Sequence, residues 1–196
     1  MIPKSGLRFS DRIMRQRDSM IPKKWAPVFG SGHASNQRSI AMAAPPRVRA
    51  PQAVLFACGL NSVRSPMAES LLQHMFPHAL YVKSAGVRKG ELDPFAVAVM
   101  AELGQDISGH KPMTFEELDD WEGLNFDLII TLAPEAHHKA LELTRTLAAD
   151  VEYWPTHDPT GAEGNREQKL QAYREVCDGL LLRIRKRFSR VGAASG

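Results

Sequence analysis

The sequence predicts an α/β protein, a three-layer sandwich in which helices cover both faces of a four-stranded parallel sheet. Three observations carry that reading. Short apolar runs alternate with helical stretches between Ala53 and Phe188, and such alternation implies parallel pairing through right-handed crossovers. The longest helical stretch, Arg166 to Phe188, has one apolar stripe and so one face to bury. The first apolar run ends at Cys58 and gives way to a polar loop and a helix start. That is the place, beyond a strand's carboxyl end, where open sheets of this kind hold ligands.

Each element has its own signal. Ala53 to Ala57 is an unbroken apolar run, a short buried strand. Ser65-Pro66 is a good N-cap and first-turn pair. It opens a helix over Pro66 to Phe76 that Pro77 ends, with Met67, Leu71, Leu72 and Met75 on one side. Tyr81 to Ser84 reads as the second strand, closed by Ala85-Gly86. Asp93-Pro94 opens a helix that buries Phe95, Ala98, Val99 and Leu103, and Gly104 supplies the left-handed stop. A short acidic helix follows near Thr114–Asp120. Phe126 to Thr131 is the third strand, Pro134 to Leu147 the next helix and Val151 to Trp154 the fourth strand. In the last helix Leu170, Tyr173, Val176, Cys177, Leu180, Leu181, Ile184 and Phe188 recur at spacings of three and four, which makes Cys177 a packing residue. Arg183, Arg185, Lys186 and Arg187 gather at its C-terminus, a solvated end that complements the helix dipole.

At 196 residues, 43% hydrophobic and 24% charged, the chain suits one ordinary soluble domain with something left over. The domain is expected over residues 51–190. Residues 1–50 carry ten Lys/Arg against two Asp/Glu, a balance of +8, whereas residues 51–196 have a balance of −5. The first fifty residues have little periodicity and read as a disordered basic arm. An organelle transit peptide and a true start at Met42 are the other readings of that segment. A mildly acidic domain offers no nucleic-acid surface, and no apolar run is long enough to cross a membrane. Two cysteines, Cys58 and Cys177, make neither a disulfide framework nor a zinc spacing, which fits a reducing cytoplasm. His137, His138 and His157 do not assemble a metal set, because adjacent histidines on a helix point apart and no thiol or carboxylate completes them.

The chemistry is concentrated in Cys58 to Ser65, the sequence CGLNSVRS. A tight loop from strand to helix turns successive N–H groups into one concavity and aims a helix N-terminus at it. Arg64 can grip two oxygens of a tetrahedral oxyanion in its planar fork. The same positive field favours the thiolate of Cys58, an in-line nucleophile beneath a bound phosphate. Gly59, Leu60, Asn61, Ser62, Val63, Arg64 and Ser65 would then line the oxyanion site. Asn61 tolerates the left-handed backbone such a loop needs. A departing oxygen also needs a proton, and an Asp-Pro step after the last strand, Asp158-Pro159, places a carboxyl on the same sheet edge.

CGLNSVRSPMAES resembles the active-site loop of the low-molecular-weight protein tyrosine phosphatases and of the arsenate reductases that share their fold. The resemblance extends from about Pro51 to Phe188. It implies Cys58 as nucleophile, Arg64 as oxyanion anchor and Asp158 as general acid, with no metal or cofactor. It further implies that Ser84 and His110 hold Asn61, and that Ser65 donates to the thiolate. The expected activity is phosphomonoester hydrolysis through a phosphocysteine, on a phosphorylated protein or small aryl phosphate, by a monomer. Arsenate reduction coupled to a small external thiol is the alternative, and a silent oxyanion-binding module the third.

Four departures qualify the resemblance. Gly59-Leu60 reverses the usual placing of glycine two positions after the nucleophile, and Val63 stands where many relatives carry a second, protective cysteine. Thr160-Gly161 replaces the tyrosine that often follows Asp-Pro and walls a phenol, and the Arg88-Lys89 loop has no aromatic either. Finally, FDLIITLAPEAHHKA contains neither relay cysteine of the thioredoxin-coupled arsenate reductases, so a self-contained relay is excluded.

Overall fold

The computed structural model describes residues 51–189; the expected basic arm over 1–50, with the alternative start at Met42, lies outside them. The elements follow the order β1 (Ala53–Cys58), α1 (Arg64–Met75), β2 (Tyr81–Gly86), α2 (Pro94–Glu102), α3 (Phe115–Glu122), β3 (Leu128–Thr131), α4 (Pro134–Leu143), β4 (Asp150–Tyr153) and α5 (Arg166–Phe188). The sheet is ordered β2-β1-β3-β4 and every pairing is parallel, as the alternation predicts. The chain leaves β1 toward β2 on one side and later returns to place β3 on the other. The carboxyl end of β1 is therefore the topological switch point, where an open α/β sheet leaves a crevice.

Alternation along β1 divides the interior in two. Val54, Phe56 and Cys58 point into a core shared with α1, α2 and α5. Leu55 and Ala57 point into a second core under α3 and α4. Cys177 is buried in the first core with its sulfur 3.9 Å from that of Met100, so the apolar stripe of α5 does place it as a packing residue. No helix among the described residues is long and apolar enough to cross a membrane.

Three local expectations are corrected. Helix α1 begins at Arg64 with Val63 as its N-cap, and no side chain caps it. Ser65 is not the cap, because its hydroxyl is committed to Cys58 and Asn61. Pro66 still falls in the first turn, where a missing N–H costs nothing. In α2 the buried residues are Ala96, Val99 and Met100, while Leu103, beyond the helix end, is exposed. The Asp93 cap that opens α2 is as expected, accepting from the Phe95 amide at 2.7 Å, and Gly104 has φ +73°. The basic end of α5 is only partly solvated. Arg187 pairs with Glu152 of β4 at 2.7 Å, and Arg183 donates to the Pro155 carbonyl at 2.9 Å, which ties the helix to the last strand and the loop after it.

Candidate active site

The loop from Cys58 to Arg64 is shaped from outside by the chain that follows β2. Amides of Val87, Arg88, Gly90 and Asp93 donate to the carbonyls of Cys58, Gly59, Leu60 and Ser62 at 2.9–3.2 Å. With its carbonyls drawn to this strap, the loop leaves the amides of Gly59 to Val63 without an acceptor among the described residues. Those are the donors an oxyanion needs, and they stand beside the N-terminus of α1. The strap also explains two glycines. A Cβ at Gly86 would meet the Asn61 nitrogen at 2.8 Å and the Leu60 carbonyl carbon at 2.9 Å. At Gly90 it would stand 3.0 Å from the Leu60 oxygen. Gly86→Ala should displace the loop, lowering stability by about 1–3 kcal/mol and turnover by about a hundredfold; urea unfolding and steady-state kinetics of the variant would measure both.

Asn61, buried, has φ +53°, the one non-glycine residue with positive φ among those described. Its side chain is held at both ends. The Nδ2 group donates to Ser65 Oγ and to Ser84 Oγ, each at 2.9 Å. The Oδ1 atom accepts from the Met113 amide at 2.9 Å and faces His110 Nε2 at 3.1 Å. Ser84 and His110 thus both contact the Asn61 side chain. Ser65 Oγ, which accepts from Asn61, lies 3.0 Å from the Cys58 sulfur and 3.4 Å from the Ala85 carbonyl, so its single proton can be directed to the sulfur or to that carbonyl.

Glu69, which no motif singled out, completes this network. It lies four residues after Ser65 on α1 and so on the same helix face, which is the sequence signal that could have found it. Its Oε2 accepts from Ser84 Oγ at 2.5 Å and faces His110 Nδ1 at 3.7 Å. Burial raises the Glu69 carboxyl from its ordinary 4.5 to about 6, against the opposing pull of Ser84 and Lys83. Burial, then the nearby Lys83 charge, lowers His110. Because Asn61 Oδ1 must accept, His110 Nε2 carries the hydrogen and turns Nδ1 toward Glu69. A carboxyl raised by folding holds its proton after the unfolded chain has lost it. Its effect on stability therefore falls as pH rises from about 4.5 to 6. Glu69→Gln should remove that slope, gaining about 2 kcal/mol relative to the parent across this window, as read from urea unfolding at a series of pH values.

Arg64 and Asp158 meet directly. Arg64 Nη2 donates to Asp158 Oδ2 at 2.7 Å and Nη1 to the Thr156 carbonyl at 3.0 Å. Arg64 is buried, while the Asp158 side chain is 46% exposed at the mouth. Burial pushes the Asp158 carboxyl up. The Thr160 hydroxyl and amide, with the Arg64 and His157 charges, outweigh that and hold it below the usual carboxylate range. Thr160, in the place of the missing aromatic, clasps Asp158 Oδ1 at 2.7 Å through its hydroxyl. The loop residue Leu60 is exposed beside the site, and the Glu135 carboxylate from the first turn of α4 leans on Gly59. His137 is engaged elsewhere, stacked on Tyr153 with Nδ1 3.1 Å from Thr131 Oγ1.

A thiol under an amide-lined cradle, an arginine fork and a mouth carboxyl, carried at the switch point of a parallel sheet, define a cysteine-dependent enzyme of oxyanion chemistry. The sequence model of the low molecular weight phosphotyrosine protein phosphatase family matches residues 53–192, and the chain belongs to that family. An arsenate reductase of Bacillus licheniformis is 36% identical over 139 residues, covering 71% of this chain and 96% of its own. Among solved structures, an arsenate reductase in the phosphate-binding state has a TM-score of 0.56 and 27% identity, covering 71% of this chain and 98% of that one. The low molecular weight protein tyrosine phosphatase of T. tengcongensis has a TM-score of 0.58 and 26% identity, covering 71% of this chain and 99% of that one.

Proposed function

We propose that this enzyme acts on arsenate, forming a covalent arsenic adduct on Cys58 that a small external thiol resolves. The observation that carries this reading is at the mouth, where Thr160 clasps Asp158 in the place an aromatic would wall a phenol. Named arsenate reductases among the relatives support it over the ester hydrolysis that the loop resemblance put first. The Cys58 thiolate attacks arsenic and hydroxide departs as water, taking its proton from Asp158. An external thiolate then displaces Cys58, giving a thiol–arsenate conjugate. A second thiol attacks the sulfur of that conjugate, and the two electrons of the broken As–S bond leave with arsenic as arsenite while a disulfide forms. The thiols must come from outside, because the other cysteine, Cys177, is sealed in the core. A thiol-rich compartment, the cytoplasm, suits that requirement.

Phosphomonoester hydrolysis is the second reading, favoured by the general-acid position of Asp158 at the mouth. Cys58 attacks phosphorus, Asp158 protonates the leaving oxygen, and the resulting carboxylate activates water against the phosphocysteine. One comparison separates the two. Purified protein is assayed with arsenate plus glutathione or mycothiol and its coupling reductase, and in parallel with an aryl phosphate and phosphotyrosine peptides. Thiol-dependent arsenite release with slow ester hydrolysis is the expected result. Ester turnover without arsenite release would install the phosphatase reading. Among esters, phosphotyrosine should gain little over other aryl phosphates, since a missing stacking wall forgoes about 0.5–1.5 kcal/mol.

A further inference from the structure

A cavity of about 490 Å³ opens between one side of α1 and the segment 104–110, away from the substrate mouth. Its size falls in the range of about 300–1,000 Å³ typical of small-molecule sites. Among the described residues two carboxylates, Glu69 and Asp106, and two histidines, His74 and His110, line it, with no lysine or arginine. Pro66, Pro77 and Ile107 add apolar wall. Gln105 turns its Oε1 to Ser70 Oγ at 2.6 Å. Glu69 Oε2 is taken by Ser84, but Oε1 has no hydrogen-bond partner among the described residues. Every buried side-chain oxygen among the described residues has one, so Oε1 is open to solvent. The other charged or titratable groups facing this carboxylate are His110, Lys83, Glu122 and Tyr81. Lys83 lies on β2 and is itself paired with Glu122 at 3.4 Å.

We propose that this cavity is a second ligand site, for a small organic cation with a flat apolar body, whose occupancy is felt at the catalytic loop. The cation would sit on Glu69 Oε1 and Asp106, with its ring against the proline and isoleucine wall. The same Glu69 carboxylate accepts from Ser84, and Ser84 with His110 holds Asn61. Fixing Glu69 in its charged form strengthens the Ser84 bond, and through it the grip on Asn61. Binding here does not depend on which oxyanion the enzyme processes.

The test titrates isotope-labelled full-length protein with benzamidine and, as the anion of the same shape, benzoate, following backbone amide resonances. Two variants accompany the parent. Gly109→Phe adds bulk at a residue that lines the cavity and whose Cβ would meet nothing within 4 Å; Glu69→Gln removes the charge. Saturable benzamidine shifts are expected at Ser70, at residues 105–110 and at Asn61, with a Kd of about 1 mM for so small a ligand. Both variants should weaken binding by about tenfold or more, the worth of a charged hydrogen-bond partner, and benzoate should not bind. Should a variant fail to fold, the benzamidine–benzoate contrast in the parent decides. Equal response to benzoate, an undiminished response in folded Gly109→Phe, or shifts centred on Cys58 would overturn the site. Shifts confined to the cavity that never reach Asn61 would overturn its link to the loop.

Discussion

Replacing Cys58 with serine should abolish turnover of arsenate and of aryl phosphates alike, by about 10⁴-fold or more, because a hydroxyl at neutral pH is a poor nucleophile where a thiolate is a strong one. The rest of the site should survive the change. Ser65 and the strap hold the loop without help from the sulfur, and the amides of Gly59 to Val63 and the Arg64 fork remain in place. Calorimetric titration with inorganic phosphate should therefore show binding in Cys58→Ser comparable to the parent. Unimpaired turnover in the variant would end the assignment of Cys58 as nucleophile under either reading of the reaction.

Asp158→Asn should slow turnover by about 10²–10⁴, the usual worth of a general acid, and should do so with a split between kcat and KM. In the ligand-free site Asp158 is an ionised partner of Arg64, so an incoming oxyanion must compete with it for the guanidinium. Asparagine removes the competing charge along with the transferable proton. The expected signature is a depressed kcat with a KM no higher than the parent's, and lower at modest salt. In the parent, the low-lying carboxyl gives kcat/KM that declines as pH rises through its titration, since the first step needs the protonated form; a dianion bound nearby raises the carboxyl again. Asp158→Asn should lose that decline. A variant with parental kcat and an unchanged pH profile would remove Asp158 from the chemistry.

Much of this was legible in the sequence because it is local. Apolar runs, helical spacing and the cap and stop residues placed all four strands and five helices, since a strand or helix must bury its apolar side somewhere and its ends need local partners. Cys58, Arg64 and Ser65 share one loop and one helix start, and so declare their proximity by spacing. The outer limits of β3 and α4 were read too long, at Phe126 and Leu147, because apolar residues that pack on an element's end have the same pattern as those inside it.

What the sequence by itself determined is the fold class, from alternation along the chain, and the placing of Cys58, Arg64 and Ser65 in one loop and helix start, from residues within a few positions of one another. Only the tertiary structure decided how the loop is held. The strap amides, the ring of Asn61, Ser84, His110 and Glu69, and the Arg64–Asp158 pair 94 residues apart in the chain exist because parallel crossovers bring distant segments to one sheet edge. Ser65 is the clearest case. Its local pattern asks for a helix cap, but burial beside a thiol and an amide gives its hydroxyl partners it could not forgo without leaving polar groups unpaired.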